Sequence, residues 1–212
     1  MTFKALAAAI ISACSLFFVI GRAEAETINL VGFGDSLMAG YELPPDEAFP
    51  ARLEKRLREK GHDVTITNAG VSGDTTADGL SRLDWSVPDG TDGVILELGA
   101  NDALRGLSPE ESRKNLDAMI TRLKERNIAV LLAGIYAPPN MGADYENAFN
   151  PIYPELAEKH GLILYPFFLD GVATQKPLLL GDGMHPNAEG TKRMAENFLP
   201  VAEKFLETLS RK

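Results

Sequence analysis

Residues 31–40 read VGFGDSLMAG and close the first β-branched, apolar run after the leader. Glycines and a serine at a strand end admit two readings. The glycines shape a turn around a phosphate, or they clear space around a reactive serine. A dinucleotide fingerprint needs a third glycine where the helix packs on the strand. Counted from Gly32 and Gly34, that position is Leu37. No lysine follows, so a Walker-type phosphate loop is missing too. The Gly-x-Ser-x-Gly elbow fails as well, because Met38 stands at its last glycine. The turn is centred on Ser36, and a serine so placed, taken alone, is more often a turn residue or cap than a nucleophile.

Working outward, the chain alternates short apolar runs with longer helical patterns. The runs are residues 27–33 (TINLVGF), 64–68 (VTITN), 93–98 (GVILEL), 129–135 (AVLLAGI) and 162–165 (LILY). They are nearly all apolar, as strands buried on both faces should be. Helical patterns cover residues 49–60, 108–126 and 147–160, with a last one from Asn187 onward. Ser108-Pro109-Glu110-Glu111 reads as an N-cap, proline at N1 and acids in the first turn. Gly61 and Gly161 stand where C-caps do. This alternation predicts one domain built on a parallel sheet with helices on both sides. In such sheets ligands collect beyond the carboxyl ends of the strands, so the segments after each strand are where chemistry is sought.

The first residues are expected to lie outside that domain. Lys4 supplies a positive start, residues 5–20 are apolar, and Ala23-Glu24-Ala25 offers small residues where a signal peptidase reads. The run is short for a membrane-spanning helix. Residues 1–25 are therefore expected to be a signal peptide cleaved after Ala25, with residues 26–212 exported to a periplasm or beyond the cell. Cys14, the one cysteine, falls inside the leader, so the mature chain is expected to need no disulfide and to use no thiol. The formal charge is −9, and no basic block stands out. That argues against nucleic acid and anionic membrane surfaces as partners.

The loops after the other strands supply what a nucleophilic serine needs: a base, a group to orient it and donors for an oxyanion. Of His62, His160 and His185, the first two sit beside glycines at helix ends. His185 precedes Pro186, expected to open the last helix. Asp182, three residues earlier between Gly181 and Gly183, can curl back to one imidazole nitrogen. Equally, the pair reads as a helix cap or half of a metal site, although no convincing set of further ligands is present. Gly73 can offer a backbone N–H at close approach, Asn101 a side-chain amide, and Ser36 its own N–H. An ordinary turn glycine and an Asx turn explain Gly73 and Asn101 just as well.

Taken together these residues form a pattern. Gly34-Asp35-Ser36-Leu37, Gly73 within NAGVSGDTT (residues 68–76), Gly99-Ala100-Asn101-Asp102 and Asp182-Gly183-Met184-His185-Pro186 resemble, in order and spacing, the four blocks of the GDSL, or SGNH, hydrolases. ELGANDALRG (residues 97–106) and GLSRL (residues 79–83) resemble more closely the bacterial exported group of multifunctional thioesterase/lysophospholipases and arylesterases. The resemblance implies a three-layer, flavodoxin-like α/β fold with a five-stranded parallel sheet. It implies Ser36 as nucleophile, His185 as base and acid, Asp182 as orienter, and an oxyanion hole from Ser36, Gly73 and Asn101. No metal or organic cofactor is implied. Ala100 departs from the pattern, standing where a second glycine is common, and its methyl is expected to crowd the backbone beside Asn101.

The expected substrates are aryl and short-to-medium acyl esters, with acyl thioesters and lysophospholipids behind them. Leu37, Leu104, Met141 and Phe149 are the expected apolar lining, the last two on residues 137–150, read as either a mobile wall of the acyl site or an ordinary surface loop. Arg105 is read as meeting an acidic head group or as a surface ion pair, and Trp85 as a packing residue. Two other functions fit parts of the pattern: an O-deacetylase for acetylated carbohydrate, and an exported binding protein that kept the fold without catalysis.

Overall fold

The computed structural model describes residues 27–209, so the expected signal peptide lies outside the described residues. Five strands form one parallel sheet: β1 Ile28–Gly34, β2 Val64–Gly70, β3 Gly93–Glu97, β4 Ala129–Ala133 and β5 Ile163–Tyr165. Their spatial order is β2-β1-β3-β4-β5. The chain order reverses between β1 and β3, and the crevice at their carboxyl ends is where such sheets hold ligands. The register pairs Phe33 with Leu96 across this switch point and Gly34 with Gly70 on the other side.

The helices are α1 Ser36–Ala39, α2 Phe49–Glu59, α3 Thr76–Ser86, α4 Ala100–Leu104, α5 Pro109–Glu125, α6 Ala143–Phe149, α7 Ile152–His160 and α8 Ala188–Leu209. α2 packs with α8 in one layer, and α3, α5 and α7 pack together in the other. β3 is buried along its whole length, which accounts for its unbroken apolar run. Phe33, Ile95 and Leu131 of the sheet, Leu53 of α2, Met119 of α5 and Phe198 of α8 belong to one continuous core. Among the described residues no helix is long and apolar enough to cross a membrane.

Several details differ from the sequence reading. α3 is a helix the apolar pattern missed. Thr75 opens it with a capping box, its hydroxyl accepting the Asp78 N–H while the Asp78 carboxylate accepts the Thr75 N–H at 3.0 Å. The helix expected over 147–160 is two, because Pro151 ends α6 and caps α7. Pro186 lies before the cap of α8, not inside the helix: Asn187 takes the cap, its Oδ1 accepting the N–H groups of Glu189 and Gly190. Trp85 is 75% exposed rather than packed.

Candidate active site

β1 delivers the serine through a tight exit. Asp35 leaves the strand and caps α1, its Oδ1 accepting the Leu37 N–H at 3.0 Å and its carbonyl the Ala39 N–H at 2.9 Å. Ser36 is the first residue of α1, and Leu37 and Met38 anchor that single turn in the core. Gly34 is required by close approach rather than by φ. A Cβ there would sit 2.4 Å from Glu97 Oε2 and 2.5 Å from the Glu97 carbonyl. The glycines of the turn therefore clear space beside Ser36.

The loop before α8 brings the imidazole. Asp182 Oδ1 accepts the N–H groups of Met184 (2.9 Å) and His185 (3.0 Å), while its Oδ2 lies 2.6 Å from His185 Nδ1. His185 Nε2 lies 2.9 Å from Ser36 Oγ. Nδ1 facing a carboxylate carries the proton, so Nε2 is the acceptor aimed at the hydroxyl. The Leu180 N–H bonds back to the His185 carbonyl at 2.7 Å, which closes the loop. The Tyr41 ring covers the imidazole, with centroids 4.4 Å apart. His62 and His160 lie elsewhere, beside Glu203 and Asp117.

Gly73 and Asn101 come from the loops after β2 and β3. Gly73 holds φ at +90°, a conformation that favours glycine. Its carbonyl accepts from Arg105 at 2.8 Å. Asn101 Nδ2 donates to the Asp74 carbonyl at 3.0 Å and, more weakly, to Asp35 Oδ2 at 3.3 Å. Among the described residues, neither the Ser36 nor the Gly73 N–H has a protein acceptor. Ala100 opens α4 with φ outside the left-handed region and lines the cleft.

Three carboxyls surround the serine with different electrostatics. The N–H groups of Met184 and His185 and the imidazole between them hold Asp182 down to about 2. Burial raises Asp35, although the Leu37 N–H and His185 oppose it. Burial and then the Asp35 charge raise Glu97 well above the carboxylate range. Among the described residues, no group of three His, Cys, Asp or Glu side chains is placed to hold a metal ion.

Ser36 and His185 open onto a cleft of about 370 Å³, within the range of small-molecule sites. Its walls are largely apolar, from Leu37, Leu104, Ile135, Tyr136, Phe167 and Leu179. Tyr136 and Phe167 stack across the wall with centroids 4.8 Å apart.

With this geometry in view, the family description "GDSL-like Lipase/Acylhydrolase family" matches residues 33–193. The chain belongs to the GDSL-like lipase/acylhydrolase family. An arylesterase of Vibrio mimicus is 42% identical over 182 residues, 85% of this chain and 91% of that one. Thioesterase 1/protease 1/lysophospholipase L1 of Escherichia coli K12 is 36% identical over 175 residues, 82% of each. The crystal structure of AlinE4, an SGNH-hydrolase family esterase, is 47% identical, covers 85% of this chain and 97% of its own, and superposes with a TM-score of 0.72. The protein is a GDSL-type serine hydrolase of esters, on the α/β fold its structural neighbours share.

Within this GDSL-family site, two of the four residues expected to line the acyl pocket are elsewhere. Phe149 is fully buried at the end of α6, stacked on Tyr145 at 5.8 Å and edge-on to Tyr153 at 6.0 Å. Met141 packs toward Gly106 rather than the cleft. Of residues 137–150 only Pro138 reaches the cleft, because the rest folds into a 3-10 turn and α6 against α5. Leu37 and Leu104 do line it. The wall that sequence reasoning missed comes from the end of β4 and the segment after β5. The signal was Phe167-Phe168-Leu169, an apolar triplet beyond a strand's carboxyl end. Phe168 turns into the core while Phe167 and Leu169 face the cleft.

Proposed function

We propose that Ser36 is the nucleophile, His185 the general base and acid, and Asp182 the group that orients the imidazole. The observation that carries this reading is the continuous line Ser36 Oγ–2.9 Å–His185 Nε2, His185 Nδ1–2.6 Å–Asp182 Oδ2. His185 takes the hydroxyl proton as Ser36 attacks the acyl carbonyl, a service worth roughly 10²–10⁴ in rate. Asp182, ionised at any pH above about 2, balances the imidazolium that forms. The Ser36 and Gly73 N–H groups and the Asn101 amide receive the oxyanion, each donor contributing about 2.7–4 kcal/mol. The weak 3.3 Å bond from Asn101 to Asp35 is the one the oxyanion replaces. The alcohol or thiol leaves with the proton from His185, and water repeats the cycle on the acyl-enzyme.

The substrates proposed are aryl esters and short-to-medium acyl esters, with acyl thioesters and lysophospholipids as further members. The apolar cleft supports acyl chains over acetylated sugars, and the intact hydrogen-bonded line supports an enzyme over a binding protein. The mature chain is proposed to act after export, on the strength of residues 1–25. N-terminal sequencing of the protein from the periplasm should begin at Glu26. The enzymatic test is hydrolysis of p-nitrophenyl esters from acetate to palmitate. Rates highest between butyrate and octanoate support the reading, and activity confined to acetylated carbohydrate overturns it.

A further inference from the structure

Arg82 belongs to the GLSRL segment, whose role the chemistry above leaves unexplained. It is nearly fully buried on the first turns of α3. An arginine so placed must spend its donors on fixed acceptors. Its Nε lies 2.5 Å from Asp74 Oδ2; one terminal nitrogen donates to the Gly34 carbonyl at 2.9 Å; the other donates to the Ala69 carbonyl at 2.9 Å and Ser86 Oγ at 3.2 Å. Its Cζ lies 4.1 Å from the centre of the Phe33 ring.

Those acceptors are not scattered. Gly34 is the last residue of β1, two before Ser36. Ala69 is near the end of β2, at the root of the loop that carries Gly73. Asp74 follows Gly73, and its carbonyl takes the shorter hydrogen bond of the Asn101 amide. One guanidinium therefore ties together the backbone behind all three oxyanion donors. We propose that Arg82 is a positioning residue of the oxyanion hole, acting through Asp74 to register the Gly73 and Asn101 donors against the Ser36 turn.

This rests on the assignment of Gly73 and Asn101 as oxyanion donors. A planar fork is needed because four acceptors, spread over its three nitrogens, must be met at once, and the single ammonium of lysine cannot do so. Arg82 touches no reacting atom. Its loss should therefore appear as misaligned donors, in the rate of chemistry rather than in substrate binding.

The test is a double-mutant cycle on the processed protein with p-nitrophenyl butyrate: Arg82→Lys, Asn101→Ala and the pair, each checked for a cooperative thermal transition. Arg82→Lys is expected to lower kcat about 10–100-fold with KM within about twofold, a smaller loss than the roughly 10²–10³ of deleting a donor. Asn101→Ala is expected to cost that roughly 10²–10³ alone, but only about tenfold in the Arg82→Lys background, because the donor it removes is already misplaced. If Arg82→Lys does not fold, Asp74→Asn, which keeps the carbonyl and removes the ion pair, takes its place in the same cycle. Full additivity, a change confined to KM, or an unchanged kcat in the folded variant overturns the role of Arg82. An Asn101→Ala enzyme with unchanged kcat overturns the oxyanion assignment itself, and the proposal with it.

Discussion

The Glu97 side chain lies directly beneath the backbone that presents the serine: its Oε2 accepts the Asp35 N–H at 3.3 Å, and its Oε1 is buried without a protein partner. The Asp35 and Glu97 carboxyls are both fully buried, and burial raises both; the Asp35 charge raises Glu97 further, and the Asp102 charge adds to the rise of Asp35. The folded pair therefore keeps a proton at pH values where the unfolded chain has lost it. Stability follows the difference in bound protons, so it falls as pH rises above the ordinary carboxylate range. Glu97→Gln keeps an acceptor for the Asp35 N–H and removes the ionisation. The variant is expected to gain Tm relative to the parent as pH rises from 5 to 8, at no more than about 1.4 kcal/mol per pH unit. Thermal unfolding at pH 5, 6.5 and 8 measures this, and a constant Tm difference across the three contradicts it.

Asp182 shows the opposite sign. Its hydrogen bonds hold it down to about 2, so the stability and orientation it contributes are present above the usual aspartate range and are lost only as pH falls through about 2. No acid limb from this carboxylate is expected in kcat/KM above pH 4. Asp182→Asn places an amide N–H against His185 Nδ1 and favours the wrong tautomer. A loss in kcat of about 10³–10⁴ is expected, by analogy with the same change in other triads, with KM little moved. Steady-state kinetics decide it, and a loss under tenfold contradicts the orienting role.

Thr174 lines the cleft with φ at +67°, a left-handed conformation that a β-branched residue adopts only under strain. The strain is about 1–2 kcal/mol, against about 0.5–1 kcal/mol for the extra flexibility of glycine. Thr174→Gly is therefore expected to raise Tm by about 1–3 °C. A lowered Tm from differential scanning calorimetry contradicts it.

The acyl site can be shortened from its wall. Ala173 lies on the cleft beyond β5, and Ala173→Phe adds a ring to that wall. The ratio of octanoate to acetate hydrolysis is expected to fall more than about tenfold, as the loss of several methylene contacts requires. An unchanged ratio places the acyl chain elsewhere.

Sequence and structure agree where local chemistry is specific. The five strands lie within one or two residues of their β-branched or apolar runs, and in β3 and β4, the central strands buried along nearly their whole length, no polar position interrupts the run. The loops carrying Ser36, Gly73, Asn101 and His185 meet in space because each follows a strand of one parallel sheet, or the connection beyond it. α3 was hidden because Gly79 interrupts its apolar pattern. A Cβ at that position would lie 2.2 Å from Leu98, so close packing there overrides helix propensity. Phe149 and Met141 were placed at the cleft because chain proximity to the site says nothing of which face of a short helix turns inward. The acyl wall after β5 has no motif at all: it depends on Phe167 stacking on Tyr136, residues 31 positions apart that only the fold brings together.

The most direct measurement is labelling of the folded, processed protein by a fluorophosphonate, read by intact mass and peptide mapping. The account predicts one adduct, on Ser36, with ester hydrolysis lost in proportion to labelling and no adduct on a folded Ser36→Ala variant. Labelling at another residue, or ester hydrolysis that survives complete modification of Ser36, contradicts it.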